Sequence, residues 1–220
     1  MSSKRFIIVG LGNFGHSVAR ALYSKGHDVI AVDIDEQRVD ALAADVSRSV
    51  LGDGRDRETL EEIGARACDV AVVSTGDDIT ASILSTLALQ DLEVGDIYAK
   101  VVSRDHARIM DHMGTADTVF PEHESGQNLA SRLSGYGVIN YVRMARDLSI
   151  QEMVVPEKWQ GQTLRNLGLR SRLELTVIAI RNMENEELTV PPDPDQALTA
   201  TDSLLMAGRE AKLHEVTTAE

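Results

Sequence analysis

Apolar positions along the 220-residue chain fall into two regimes. From residue 5 to about 120, short β-branched runs alternate with segments of helical period: RFIIV (5–9), DVIAVD (28–33), SRSVLG (47–52), DVAVVS (69–74), IYAKVV (97–102) and DTVF (117–120). Most of these runs are apolar almost without interruption, the pattern of strands covered on both faces. Between them, Ser17–Ser24 and Glu36–Ala44 read as helices. DITASILSTLALQ (78–90) predicts the clearest helix, with Ile79, Ile83, Leu84 and Leu87 on one apolar stripe. Six strands with intervening helices predict an α/β fold, a Rossmann-like doubly wound parallel sheet. Right-handed crossovers leave few topologies for it.

Past residue 121 the pattern changes. ESGQNLASRL (124–133) and INYVRMARDL (139–148) both read as helical, separated by SGYG (134–137), whose glycines break or bend the run. The pair either caps the edge of the first domain or reaches out as an arm onto a neighbouring subunit. From about Ile150, IQEMVVP and LTVIAIR read as strands, QTLRNLGL as a short helix or turn, and DSLLMAG as a last strand. VPPDPD between them is confined by proline to loop or edge. The tail EVTTAE is expected to fray. The expected organisation is a Rossmann-type nucleotide-binding domain over 1–121, crossover helices over 122–147 and a small α+β C-terminal domain over 148–220.

Composition narrows the function. A formal net charge of −13 disfavours nucleic acid and anionic membrane surfaces, both of which select basic patches. The single cysteine, Cys68, permits no intrachain disulfide and reads as a small core residue. No apolar run approaches a membrane span, and MSSKRF lacks the apolar region of a signal peptide. A cytoplasmic protein is expected, one that serves a membrane process only by docking.

The chemistry concentrates at strand ends. Gly10, Gly12 and Gly15 follow a predicted strand and open a predicted helix, the setting in which a G-x-G-x-x-G grips a pyrophosphate. Gly10 permits the tight turn, Gly12 the approach of phosphate to backbone, and Gly15 close helix–strand packing. Leu11, Asn13 and Phe14, between them, join the candidate contacts. Asp33 ends the second strand, 21 residues after Gly12, where a carboxylate accepts ribose hydroxyls and repels a 2′-phosphate, with Ile34 beside it. Asp53 and Gly54, Thr75 and Gly76, Lys100 and Glu122 follow at later strand ends and face the same crevice. Asp53 also reads as a turn residue, Asp77 or Asp78 as a helix N-cap, and Lys100 as a solvated strand-end lysine.

A reaction centre is missing from this pattern. No tyrosine is followed by lysine four residues on, no histidines share a metal-ligand spacing, and neither G-x-S-x-G nor a P-loop lysine occurs. His106 and His112 read as surface residues beside an amphipathic helix. A nucleotide grip without a reaction centre points to a sensor rather than an enzyme. The alternatives are an NAD-dependent oxidoreductase, which needs a second catalytic domain, and an NAD(H)-sensing adaptor of another cation transporter, which shares the fold.

Several stretches together carry a resemblance: VGLGNFGHSVARAL, DVIAVDIDEQRV, STGDDITASIL, AKVVSRDHARIMDHMGTADTVFPE, GQNLA, GQTLRNLGLR and the spacing from Pro194 to Gly208. From about Phe6 to Leu213 the chain resembles the regulator of potassium conductance (RCK) family, specifically the cytosolic regulatory subunit of bacterial Ktr/Trk potassium uptake systems. The resemblance implies a homodimer assembling into an octameric ring, docked beneath a membrane-embedded potassium channel subunit at the inner face of the plasma membrane. It implies ATP and ADP competing for the crevice, with NAD(H) bound in some relatives. A divalent cation or sodium would sit at the nucleotide phosphates, on the glutamate matching Glu122. Residues 122–147 would form the dimer crossover with SGYG as its hinge, and in some relatives cyclic di-AMP binds between C-terminal domains. Asn13 stands where many of these regulators carry an arginine that reaches a neighbour's γ-phosphate, and Arg55 where threonine is common.

Overall fold

A computed structural model describes residues 3–134, 137–144 and 147–218. The chain divides into two compact units, Met1–Glu122 and His123–Glu220.

The first unit runs β1 (Arg5–Val9), α1 (Asn13–Ser24), β2 (Asp28–Asp33), α2 (Glu36–Leu42), β3 (Arg48–Leu51), α3 (Arg57–Glu62), a 3-10 turn (Ala65–Ala67), β4 (Val70–Val73), α4 (Ile79–Asp91), β5 (Asp96–Lys100), α5 (Arg104–His112) and β6 (Asp117–Val119). Its six strands pair in parallel in the order β3-β2-β1-β4-β5-β6. The order reverses between β1 and β4. Strand alternation supplies both faces of the sheet. Ile7 and Val9 enter one core with Val32, Leu60 and Leu89, while Ile8 enters the other with Val29, Ala31 and Leu42. Each valine, leucine or isoleucine among these contributes about 1.5–3 kcal/mol by burial. Cys68 is buried as expected, and burial pushes its thiol up to about 11.

Side-chain oxygens start four of the five helices wholly within this unit. Asp35 caps α2, Asp56 caps α3, Asp78 caps α4 and Ser103 caps α5, each accepting a backbone N–H of the first turn. α1 begins instead on Gly12, with no side-chain cap.

Two expectations fail in this unit. The seated face of α4 is Ser82, Ser85, Thr86, Ala88 and Leu89, whereas Leu84 and Leu87 are 41% and 47% exposed. The seated side chains are mostly small, which lets α4 lie close on β4, β5 and α3; of the expected stripe, Ile83 packs on the core of Ala99, Val101 and Met110, while Leu84 and Leu87 point away from the seat. His106 is not on the surface but 1% exposed, its Nε2 3.1 Å from Ser82 Oγ. Of the two, His112 is the exposed one, donating from Nδ1 to the Arg108 carbonyl at 2.6 Å.

α6 (Pro121–Ser134) precedes the second sheet. There follow β7 (Val138–Arg143), β8 (Leu148–Val154), a 3-10 turn (Glu157–Trp159), α7 (Leu164–Leu167), α8 (Leu169–Leu173), β9 (Thr176–Asn182), β10 (Leu188–Thr189), β11 (Asp202–Arg209) and α9 (Glu210–Thr218). The strands are antiparallel in the order β10-β9-β11-β8-β7. Met153, Ile180, Leu204 and Met206 face a core closed by Trp159, Leu213 and Val216.

The first helix of the expected pair is α6, but INYVR is strand β7. Its β-branched and aromatic residues pair with β8, and buried Tyr141 bonds Ser149 Oγ at 2.9 Å. That pairing overrides the helical reading. Gly135 and Tyr136 of SGYG lie outside the described residues, and so does any hinge there. The expected fraying after Glu215 is replaced by helix through Thr218.

Candidate nucleotide site

The crevice opens outside the carboxyl ends of the parallel strands, at the reversal between β1 and β4, with a volume of about 560 Å³. The turn from β1 to α1 contributes Gly10, Gly12, Asn13 and Phe14, and β2 contributes Asp33 and Ile34. Asp53 and Gly54 come from the loop after β3, Thr75 and Gly76 from the loop after β4. Lys100 and Glu122 complete it. Of the residues expected here, Leu11 and Gly15 alone do not line the crevice.

Each exception has a structural task. Leu11 is buried in the core, and its N–H donates to Asp33 Oδ2 at 2.6 Å. Gly15 lies so close under the turn that a Cβ there would collide with the Gly10 carbonyl. Gly10 has φ +91°, and a Cβ on it would strike the Ser74 carbonyl, so the glycine loop lies directly against the end of β4. Around Gly12, by contrast, nothing stands within 4 Å of a built Cβ. The approach to the N-terminus of α1 is open, and its first N–H groups have no intrahelical partner.

Asp33 is almost fully buried, tied through Oδ2 to Leu11 N–H and through Oδ1 to Asp35 N–H at 2.9 Å. The carboxylate thereby fixes the glycine loop to the end of β2. Arg38 Nη1 approaches it at 3.6 Å and lines the same crevice. Asp53 makes the turn contact, accepting Arg55 N–H at 2.9 Å, and is gripped by the Arg55 guanidinium at 2.6 Å. Those hydrogen bonds hold its carboxyl below the usual range. Lys100 is not a solvated lysine: its side chain is 12% exposed and its Nζ lies 2.6 Å from Glu122 Oε1. The hydrogen bond from Lys100 lowers the Glu122 carboxyl in turn. Asp78 is the N-cap of α4, accepting Ala81 N–H at 2.8 Å, and it also lines the crevice with Asp77.

Sequence reasoning passed over Arg38 and Ser85, which line the crevice too. Arg38 was within reach of inference, because five residues after Asp33 lies the first turn of α2. Ser85 was hidden by the misassigned face of α4. Among the described residues, no histidine, cysteine or tyrosine lines the crevice. Among the described residues, no group of three or more His, Cys, Asp or Glu side chains could hold a metal ion, and Glu122 stands paired with Lys100.

An open helix N-terminus, a buried carboxylate ending β2 and a crevice at the reversal of strand order define a Rossmann-type nucleotide-binding domain. The TrkA-N domain family matches residues 6–121, more than half of the chain, and the chain belongs to that family. It is 32% identical over 205 residues to Ktr system potassium uptake protein C of Bacillus subtilis (strain 168), spanning 93% of this chain and 92% of that one. Its fold is that of the GsuK RCK domain, with a TM-score of 0.69 at 19% identity, over 99% of this chain and 48% of the other. The GsuK channel bound to NAD gives a TM-score of 0.66 at 20% identity, over all of this chain and 40% of the other. No helix among the described residues is long and apolar enough to cross a membrane.

Proposed function

We propose that the protein is the regulatory subunit of a potassium uptake system, in which an adenine nucleotide in the crevice sets the state of a membrane-embedded potassium channel subunit. One observation carries the reading: a nucleotide crevice without an evident reaction centre, on a chain related end to end to a potassium uptake protein. The protein is then a cytoplasmic switch rather than an enzyme.

The pyrophosphate lies at the N-terminus of α1, where the helix dipole and free N–H groups favour an anion. The ribose hydroxyls donate to Asp33, and the base packs between Ile34, which is 70% exposed at the rim, and Gly54. ATP and ADP are the exchanging pair that the family resemblance implies. NAD(H) is the second reading, supported by the shared fold of an NAD-bound channel. A cation beside Glu122, cyclic di-AMP at the C-terminal unit, and a homodimer joined through 122–147 and built into an octamer belong to the same proposal. Gating requires that the ligand bind two ring states unequally; equal affinity shifts nothing.

Native mass spectrometry of the full chain with ATP, ADP or NADH tests ligand and assembly together. Rings of eight subunits carrying nucleotide are expected. A monomer that turns over a nicotinamide cofactor with a small substrate would replace this reading by an oxidoreductase.

A further inference from the structure

α5 is seated by two buried side chains one turn apart, Met110 and His106. Met110 is apolar and lies in a small core with Ala99 and Val101, against which Ile83 of α4 also packs. His106 is titratable and buried as deeply. The Ser103 cap takes its backbone N–H at 3.1 Å, and its Nε2 meets Ser82 Oγ of α4 at 3.1 Å. Among the described residues, Nδ1 has no hydrogen-bond partner. Half of the buried seat of this short helix is therefore a ring that can take up a proton.

Among the described residues, the charged groups on the elements about the ring are turned elsewhere. On α5 itself Arg104, Asp105, Arg108, Asp111 and His112 are exposed. On α4, Asp91 is exposed at the far end, and the carboxylate of Asp78 caps the helix through the Ala81 N–H at 2.8 Å. On β5, Asp96 is exposed and Lys100 is tied to Glu122, and on β6 Asp117 is exposed. A second proton on the ring places a positive charge and an unpaired Nδ1–H in a buried seat, and both are costly there. Burial by itself holds this imidazole below its ordinary value of 6.5.

α4 joins this seat to the crevice. Ser82, the partner of His106, stands on the same buried face as Ser85, and Ala81 and Ser85 line the crevice. We infer that His106 is a proton-operated latch: the neutral ring holds α5 on α4, and a proton on it releases α5 together with the wall of the crevice that α4 carries. The closed seat favours the neutral ring, so the latch is fully held above about pH 6.5 and weakens as pH falls below that value. One proton taken up on opening multiplies the opening equilibrium by at most about tenfold per pH unit.

The test is hydrogen exchange of the full-length chain from about pH 7.5 to about pH 5.5, resolved along the sequence and corrected for the intrinsic pH dependence of exchange. Below about pH 6.5, opening of α5 and of residues 81–86 is expected to rise severalfold per pH unit, with β8 unchanged. In His106→Gln the side-chain amide can keep the bond to Ser82 and carries no titrating group, and the rise is expected to vanish. A wild-type chain whose α5 exchanges alike across this range overturns the inference, as does a rise of the same size in His106→Gln. Where that variant fails to fold, the imidazole resonance of His106 in the wild-type chain decides. A midpoint below the ordinary 6.5 is expected, and one at or above it overturns the latch.

Discussion

The two sheets of this protein solve the burial of their strands in opposite ways. In the parallel sheet, β2 and β4 are almost wholly buried and almost wholly apolar, Asp33 being the buried charge and the one that faces the crevice. In the antiparallel sheet, polar groups stand in the middle of strands. Glu152 of β8 is 6% exposed and accepts Ser203 Oγ at 2.8 Å and Asn140 Nδ2 at 2.7 Å, with Arg181 Nη1 at 3.5 Å. A buried charge is tolerable only when paired and hydrogen-bonded, and here three strands besides its own supply the partners. One sheet is held by apolar surface on two faces, and its strand-end polar groups line the crevice. The other invests them in its own strand contacts.

That contrast can be broken from either side. The largest effect is expected from Gly15→Ala. The new methyl meets the Gly10 carbonyl, so the first unit should lose about 3 kcal/mol or more and nucleotide binding should vanish. Hydrogen exchange resolved along the chain would show the loss in β1, α1 and β4. Next is Leu204→Ala in the second core, at about 2–5 kcal/mol, read by urea unfolding. It should leave nucleotide binding intact, since the crevice is built within Met1–Glu122.

Glu152→Ala should destabilise the second unit by about 2 kcal/mol, because Ser203, Asn140 and Arg181 lose their acceptor. The pH dependence follows from the same site. Burial raises the Glu152 carboxyl, but the hydrogen bonds from Asn140 and Ser203 and the Arg181 charge outweigh it, leaving it below its ordinary value of 4.5. A depressed carboxyl contributes stability above its unfolded value and loses it as pH falls through the folded one. The second unit should therefore weaken below about pH 4.5, and Glu152→Gln should flatten that part of an acid unfolding profile.

Asp33→Ala should cost nucleotide affinity at least about tenfold in calorimetry, through the lost ribose acceptor and the released glycine loop. Unchanged affinity would remove Asp33 from the site. The smallest effect is expected for Leu84→Ser, less than about 0.5 kcal/mol in the isolated chain, because the side chain is 41% exposed. A large loss in thermal unfolding would mean that α4 seats on the face drawn from hydrophobicity alone.

Much of the first unit is legible in the sequence alone. The runs that became β1, β2 and β4 are short, apolar and separated by helical period, and a strand covered on both faces leaves no other pattern. The glycine loop and Asp33 were legible for a different reason: each constrains the backbone within a few residues of itself. INYVR misleads because β7, Val138–Arg143, is only six residues long and carries little periodic signal. It became a strand by pairing with β8, a partner beyond the reach of local propensity. The seat of α4 was misread because Ser82, Ser85 and Thr86 gain their place from the closeness of the sheet, not from their own hydrophobicity.

The sequence by itself determined the parallel strands, the uncapped helix start at Gly12 and the carboxylate that ends β2. All of these depend on residues near one another in the chain. Only the tertiary structure decided which charges meet: Lys100 with Glu122 across 22 positions, and Glu152 with Arg181 across 29. Electrostatic pairing is a matter of distance in space, which no local pattern encodes.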